Sequence, residues 1–481
     1  MGEYMKIDFL QVRDGRIVNE SGAEVRLRGT CLGGWMNMEN FINGYPGSEH
    51  ELRWVAAEIL GPAKAKFFFD RLLDHFLTED DIVFMKRAGV NVLRLPLNYR
   101  HFEDDLRSAE YNASGFKRLE EAVSLCEKHG IYVIFDLHAV QGWQNPDWHS
   151  DNASRHSLFW RHAHFQDRWI RLWRELAHHY KGESVIAGYN VMNEPVTGNP
   201  RGFYDSNYAT DWDMINRLYR SVVKSIRSVD SKHIVFLEGD LYSTRFEGFD
   251  EPFDDNLVYS CHHYTSQGFG PGAYPNEEQG WNRERQKRFF EKQQGIQFSR
   301  RHSVPLWVGE FGSVYNGPSE EVPDRLRALD DEISVFEETG VHWTTWTYKD
   351  VGVMGWVTLD PECEYLERIK EVLSAKRLLR CDHWQEWLPE TKAGKKAAEL
   401  ADLLEEVIAD RNIETKLNRK YFSQTVFSGY AAALLQPEYV KCFKNLFEIE
   451  LDRVLSGFAF KNCRVNEGIG SIIRKYTSGE A

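Results

Sequence analysis

Tyr189-Asn190-Val191-Met192-Asn193-Glu194-Pro195 closes an apolar run that begins near residue 185. The run reads as a buried strand, with Glu194 at its C-terminal end and Pro195 as the breaker. A second stretch follows the same plan: Pro305-Leu306-Trp307-Val308-Gly309-Glu310-Phe311-Gly312. An acid at the end of a buried strand is costly unless it is partnered or used. Working outward, near-continuous apolar runs lie at 25–32, 91–97, 131–138, 185–193, 234–238, 257–263, 305–310 and 341–347, eight in all. Amphipathic helical patterns separate them near 78–88, 115–129, 164–180, 212–228, 282–301 and 323–339. Thr78, followed by Glu79, Asp80 and Asp81, marks a helix start. Strands without polar alternation, joined by helices, predict an α/β fold: a parallel sheet closed as a (β/α)8 TIM barrel.

Residues 8–30 read as a hairpin turning at Asp14-Gly15 that leads into the first strand. Two segments exceed the repeat, residues 33–77 after strand 1 and 350–460 after strand 8. The second contains a strongly amphipathic helix over 392–408. We expect one catalytic barrel domain over 1–481, with a helical insertion at about 360–460 and a last barrel helix near 465–475.

Composition narrows the function. A net charge of −14 argues against nucleic acid, which needs a basic face. No run of eighteen apolar residues exists, so no membrane span is expected. The N-terminus has no basic region followed by an apolar stretch, which predicts a cytoplasmic protein. The seven cysteines are scattered without a Cys-x-x-Cys pair, which fits free thiols and no zinc site. No His-Glu-x-x-His spacing is present, so no metal and no cofactor is expected. Fifteen tryptophans is a high count; core packing accounts for more than half of them, and some are candidates for sugar-stacking platforms.

In a barrel, the C-terminal strand ends converge on one site. Here they carry Glu39 (in the loop after strand 1), Arg94, His138, Asn193, Glu194, Glu238, His262, Tyr264, Glu310 and Trp346. Two carboxylates facing one pocket are the equipment for cleaving a glycosidic bond. Glu310 is assigned as nucleophile, with Arg94 beneath it and Tyr264 as a hydroxyl donor. Glu194 is assigned as general acid/base, a role that calls for a raised pKa. Asn193 is placed to meet the sugar 2-hydroxyl, and Trp346 to floor the ring.

These residues resemble glycoside hydrolase family 5. Its acid/base motif matches Asn193-Glu194-Pro195, and its nucleophile motif matches Gly309-Glu310-Phe311-Gly312. Its strand-2 arginine matches Arg94, its strand-3 histidine His138, its His-x-Tyr pair His262 and Tyr264, and its strand-8 tryptophan Trp346. In the loops, Arg28-Gly29-Thr30-Cys31-Leu32-Gly33-Gly34-Trp35-Met36-Asn37-Met38-Glu39 is similar to the exo-β-1,3-glucanase branch. That resemblance implies that Glu39 grips the terminal sugar. Gly142-Trp143-Gln144-Asn145 resembles that branch's Gly-Ser-Gln-Asn and implies that Asn145 is a sugar contact. The expectation is a retaining β-glycosidase with a carbohydrate substrate, exo-acting on a short oligosaccharide or glycoside. An endo-acting β-glucanase and a non-catalytic carbohydrate-binding barrel are the alternatives.

Overall fold

The computed structural model describes residues 7–108, 110–198, 208–264, 273–276, 278, 280–382, 391–411 and 417–478. Eight parallel strands close into a barrel. They are β1 (Arg28–Cys31), β2 (Val92–Asn98), β3 (Tyr132–Ala139), β4 (Ile186–Asn190), β5 (Ile234–Glu238), β6 (Leu257–His262), β7 (Leu306–Glu310) and β8 (His342–Thr345). Each pairs in parallel with its sequence neighbour, and β8 closes the ring by pairing Trp343 with Arg28. The strands are buried on both faces, which is why their sequences lack alternation.

The two ends of the barrel differ. At the N-terminal end Val92, Ile134, Ala187, Ile234, Phe236, Val258 and Trp307 pack with Leu10 and Ile17 of the hairpin Gln11–Arg13/Arg16–Val18. The hairpin therefore plugs that end with apolar side chains. The polar strand-end residues collect at the other end.

The helix Glu79–Arg87 begins with the expected Thr78 cap, closed by Asp81 in a reciprocal capping box. The pattern at 282–301 is not one helix. It breaks into Arg283–Glu291 and Gln294–His302, with extended backbone at Gln293, whose side chain meets His263 Nδ1 at 2.6 Å.

After β1 the chain forms helices Glu49–Leu60 and Pro62–Phe76. After β8 it forms Glu364–Leu379, Lys392–Asp410, Arg419–Gln424, Ala432–Lys441 and Glu448–Leu455. The two excursions pack on each other through buried contacts. Tyr365 donates to the Asn43 carbonyl at 2.6 Å, Lys376 Nζ to the Tyr45 carbonyl at 2.9 Å, and Gln436 Nε2 to the Pro46 carbonyl at 3.1 Å. The chain then returns as helix Glu467–Thr477, which packs on Val322–Thr339 and donates from Thr477 to the Ala88 carbonyl. That places it in the helical ring between the helices following β7 and preceding β2. Among the described residues no helix is long and apolar enough to cross a membrane. All seven cysteines are free thiols.

Candidate active site

Arg94 on β2 is the hub of the polar end. It is fully buried, donates to Glu310 Oε1, and its Nη2 lies 2.7 Å from Asn193 Oδ1 and 3.2 Å from Asn190 Oδ1. The same nitrogen lies 3.0 Å from Asp136 and 3.3 Å from Glu238. Burial opposes its charge, but Asp136, Glu310 and Glu238 hold it protonated. A planar fork with several fixed donors suits this position better than a lysine point charge.

Glu310 closes β7. Arg94 takes one of its carboxylate oxygens, and Tyr264 donates to the other at 2.9 Å. Gly309, just before it, leaves room for a neighbour, since a Cβ there would lie 3.1 Å from His262 Nε2.

Glu194 is held differently. Its backbone is left-handed, φ +46°, which strains a residue with a side chain. Two contacts hold that conformation: its N–H donates to Glu238 Oε2 at 2.8 Å, and its carbonyl accepts from Asn145 Nδ2 at 3.1 Å. Oε1 meets His262 Nδ1 at 2.7 Å, and Oε2 lies 3.0 Å from His149 Nε2. Burial raises the pKa of Glu194, but His149 and His262 outweigh it, so the carboxyl is held below the usual range. This departs from the raised value that the sequence led us to expect. The dominant neighbours of Glu194 are histidines rather than a second carboxylate. His262 is itself kept charged against burial by Glu310, Glu238 and Glu194.

His138, Glu39, Asn193 and Trp346 form the rest of the floor. Asp136 binds His138 Nδ1 at 2.7 Å, and together with Glu39 it lifts the imidazole pKa, against burial, to about 10. Trp346 stacks on that imidazole at 5.3 Å and 7°. A Cβ on Gly33 would lie 2.7 Å from the Trp346 ring, so the glycine makes the stack possible. Glu39 Oε1 is buried, lies 3.4 Å from His138 Nε2, and has no hydrogen bond among the described residues. A buried carboxylate oxygen without a donor is a natural acceptor for a ligand hydroxyl. Asn145, by contrast, has its amide turned to the protein: Nδ2 serves the Glu194 carbonyl and His149, and Oδ1 accepts from Asp147 N–H at 3.0 Å. It supports Glu194 from behind.

Three residues, His149, Lys420 and Gln424, escaped sequence reasoning, and a fourth, Glu238, was seen without its role. His149 lies in the loop after β3, outside any strand end. Glu238 stood out as a strand-end acid without a role, and the structure makes it the anchor of the Glu194 backbone. Lys420 and Gln424, from the insertion, help to wall a cavity of about 370 Å³. Glu194, His149, Trp148, Tyr242, Tyr264 and Phe289 complete most of its lining, and Glu310 is not among them. The cavity thus opens on the Glu194 side, and Glu39, His138 and Trp346 surround the other.

Known proteins resemble the chain over most of its length. Residues 67–352 match the family described as Cellulase (glycosyl hydrolase family 5). A β-xylosidase of Phanerodontia chrysosporium is 35% identical over 97% of both chains, so it spans the insertion as well. A probable glucan 1,3-β-glucosidase A of Aspergillus clavatus is 24% identical over 69% of this chain and 84% of its own length. Among solved structures, an endogalactoceramidase superposes with a TM-score of 0.52 at 19% identity, covering 77% of this chain and 78% of its own, which speaks for the fold alone.

Proposed function

Because the chain belongs to glycosyl hydrolase family 5, we propose that it is a retaining, exo-acting β-glycosidase with Glu310 as nucleophile and Glu194 as acid/base. The observation that carries this reading is the spacing of the two acids. A carboxylate oxygen of Glu194 and one of Glu310 lie within 4.8 Å of each other and of a His262 nitrogen. Retaining enzymes separate their carboxyls by about 5–5.5 Å, while inverting enzymes leave about 6.5–9.5 Å for a water.

The partners of each acid support its role. Glu310, held at its two oxygens by Arg94 and Tyr264, attacks the anomeric carbon. The bond to the leaving oxygen breaks, and that oxygen takes a proton from Glu194. A water then gives its proton to Glu194, adds to the anomeric carbon and frees Glu310. Asn193, pinned by Arg94, is presented to the sugar 2-hydroxyl.

Exo-action is supported by the two excursions, which stand together on the rim. Glu39 closes the far side of the sugar site, and Lys420 and Gln424 wall the leaving-group cavity. The relative that shares the whole chain is named a β-xylosidase, and a second a glucan 1,3-β-glucosidase. Xylose and glucose share equatorial hydroxyls at C2, C3 and C4, so we infer a β-xyloside or β-glucoside substrate. A panel of aryl β-glycosides, followed by product analysis on short oligosaccharides, tests this. Release of single sugars from one end is expected. Products of mixed length from the first minutes would favour the endo-acting alternative.

A further inference from the structure

His149 Nε2 meets two opposed demands. The amide of Asn145 has a fixed orientation: Oδ1 accepts from Asp147 N–H, and Nδ2 donates to the Glu194 carbonyl. Turning it over would set an oxygen against that carbonyl. The second hydrogen of Nδ2 therefore points at His149 Nε2, 2.9 Å away, and needs a lone pair there. Glu194 Oε2 lies 3.0 Å from the same nitrogen. If Glu194 is ionised, it needs a proton on Nε2. If Glu194 is protonated, its O–H and the Asn145 N–H share the lone pair. Glu194 Oε1 is already taken by His262 at 2.7 Å, so Oε2 is the oxygen with a transferable proton.

We propose that His149 is the proton partner of Glu194: one proton is held between Glu194 Oε2 and His149 Nε2, with Asn145 preventing it from settling on the imidazole. This rests on Glu194 being the acid/base. In the first step the proton passes from the pair to the leaving oxygen as the glycosidic bond breaks, leaving neutral His149 beside ionised Glu194. In the second, Glu194 takes a proton from the attacking water, which restores the pair. The step balances without any further reactant. It also reconciles an acid held below the usual carboxylate range with its task, because the proton is shared with a nitrogen 3.0 Å away.

The groups facing the pair are Asp147 and Trp148 on the same loop, His138 and Tyr242 whose rings lie 5.9 and 6.2 Å from His149, and Glu39. On the Glu194 side they are His262, Glu238 and Glu310, and across the cavity Tyr264 and Lys420. Asp147 is already tied to Arg155 at 2.7 Å and to Tyr242 at 2.6 Å, so its charge is largely neutralised.

His149→Phe and His149→Gln remove the proton site and leave Glu194 in place. In both, the alkaline limb of the kcat/KM profile on a glycoside with a poor leaving group should move down by about one pH unit or more. The loss in kcat/KM on a dinitrophenyl glycoside, whose leaving group needs little protonation, should be several-fold smaller than on the poor leaving group. A fall of equal size at every pH and for every leaving group would show a purely structural role and overturn the proposal. A measurement that needs no His149 variant is the imidazole 15N spectrum. The Nε2 signal should lie between the protonated and unprotonated positions in the native enzyme and move to the unprotonated one in Glu194→Gln; an unshifted signal counts against proton sharing. Azide rescue of Glu194→Ala tests Glu194 alone, so rescue there with an unmoved limb in His149→Phe would sink only the His149 assignment.

Discussion

Tyr264 donates its hydroxyl to Glu310 Oε2 at 2.9 Å, on the carboxylate oxygen that Arg94 does not take. A nucleophile held at both oxygens is fixed in direction as well as charge. Tyr264→Phe should therefore lower kcat/KM by about 10- to 100-fold, the loss of a charged hydrogen bond of about 1.5–3 kcal/mol. The ring itself stays, so the melting temperature should barely move. Steady-state kinetics beside a thermal melt separate the two effects, and an unchanged kcat/KM would mean that the contact is idle.

Gly33 and Trp346 predict a steric result. A methyl at Gly33 would fall 2.7 Å from the indole, which is trapped between that backbone and His138. Gly33→Ala should displace the ring at a cost of about 1–3 kcal/mol and raise KM for small glycosides. If KM and stability both match the native enzyme, the ring has freedom that the packing denies.

His342 sets part of the acid sensitivity. Its Nδ1 accepts the Leu27 N–H at 3.1 Å, and burial, aided by Arg26 and Arg28, lowers its pKa to about 3. The unfolded value is about 6.5. Between those values the unfolded chain binds a proton that the folded chain refuses. The stabilisation is thus complete above about pH 6.5 and is lost as pH falls toward 3. His342→Asn should be less stable at pH 7 yet show a flatter decline in urea midpoint from pH 7 to pH 4. Parallel curves would contradict this.

Much of the arrangement was legible in the sequence, and the parts that were not share a cause. The eight strands stand within a few residues of their apolar runs, because a strand buried on both faces admits almost nothing polar. The ends of those strands carry their chemistry in short motifs, so Arg94, Glu194 and Glu310 could be named before any coordinates. What escaped depends on neighbours far apart in the chain. His149 has no periodicity or motif to mark it, and only the fold brings it against Glu194. The same holds for the state of Glu194, which is set by two histidines that the sequence places 45 and 68 residues away. The break at Gln293 is likewise tertiary, a side chain drawn to His263 in the middle of a helical pattern.

The two acids should respond differently to removal. Glu310→Gln should abolish turnover in a folded protein. Glu194→Ala should keep activity on activated aryl glycosides, and added azide should restore turnover by trapping the glycosyl-enzyme as a glycosyl azide. Rescue that follows the Glu310 variant with retention would mean that the roles are exchanged.

The central claim is double displacement at Glu310 with Glu194 as acid/base, and the stereochemistry of the first-formed product tests it most directly. Proton NMR of the anomeric region, recorded within the first minutes on an aryl β-xyloside or β-glucoside, distinguishes the outcomes before mutarotation blurs them. The account predicts that the β-anomer appears first and the α-anomer grows in only later. An α-anomer at the outset would mean a single displacement by water, and would contradict the assignment of Glu310 as nucleophile.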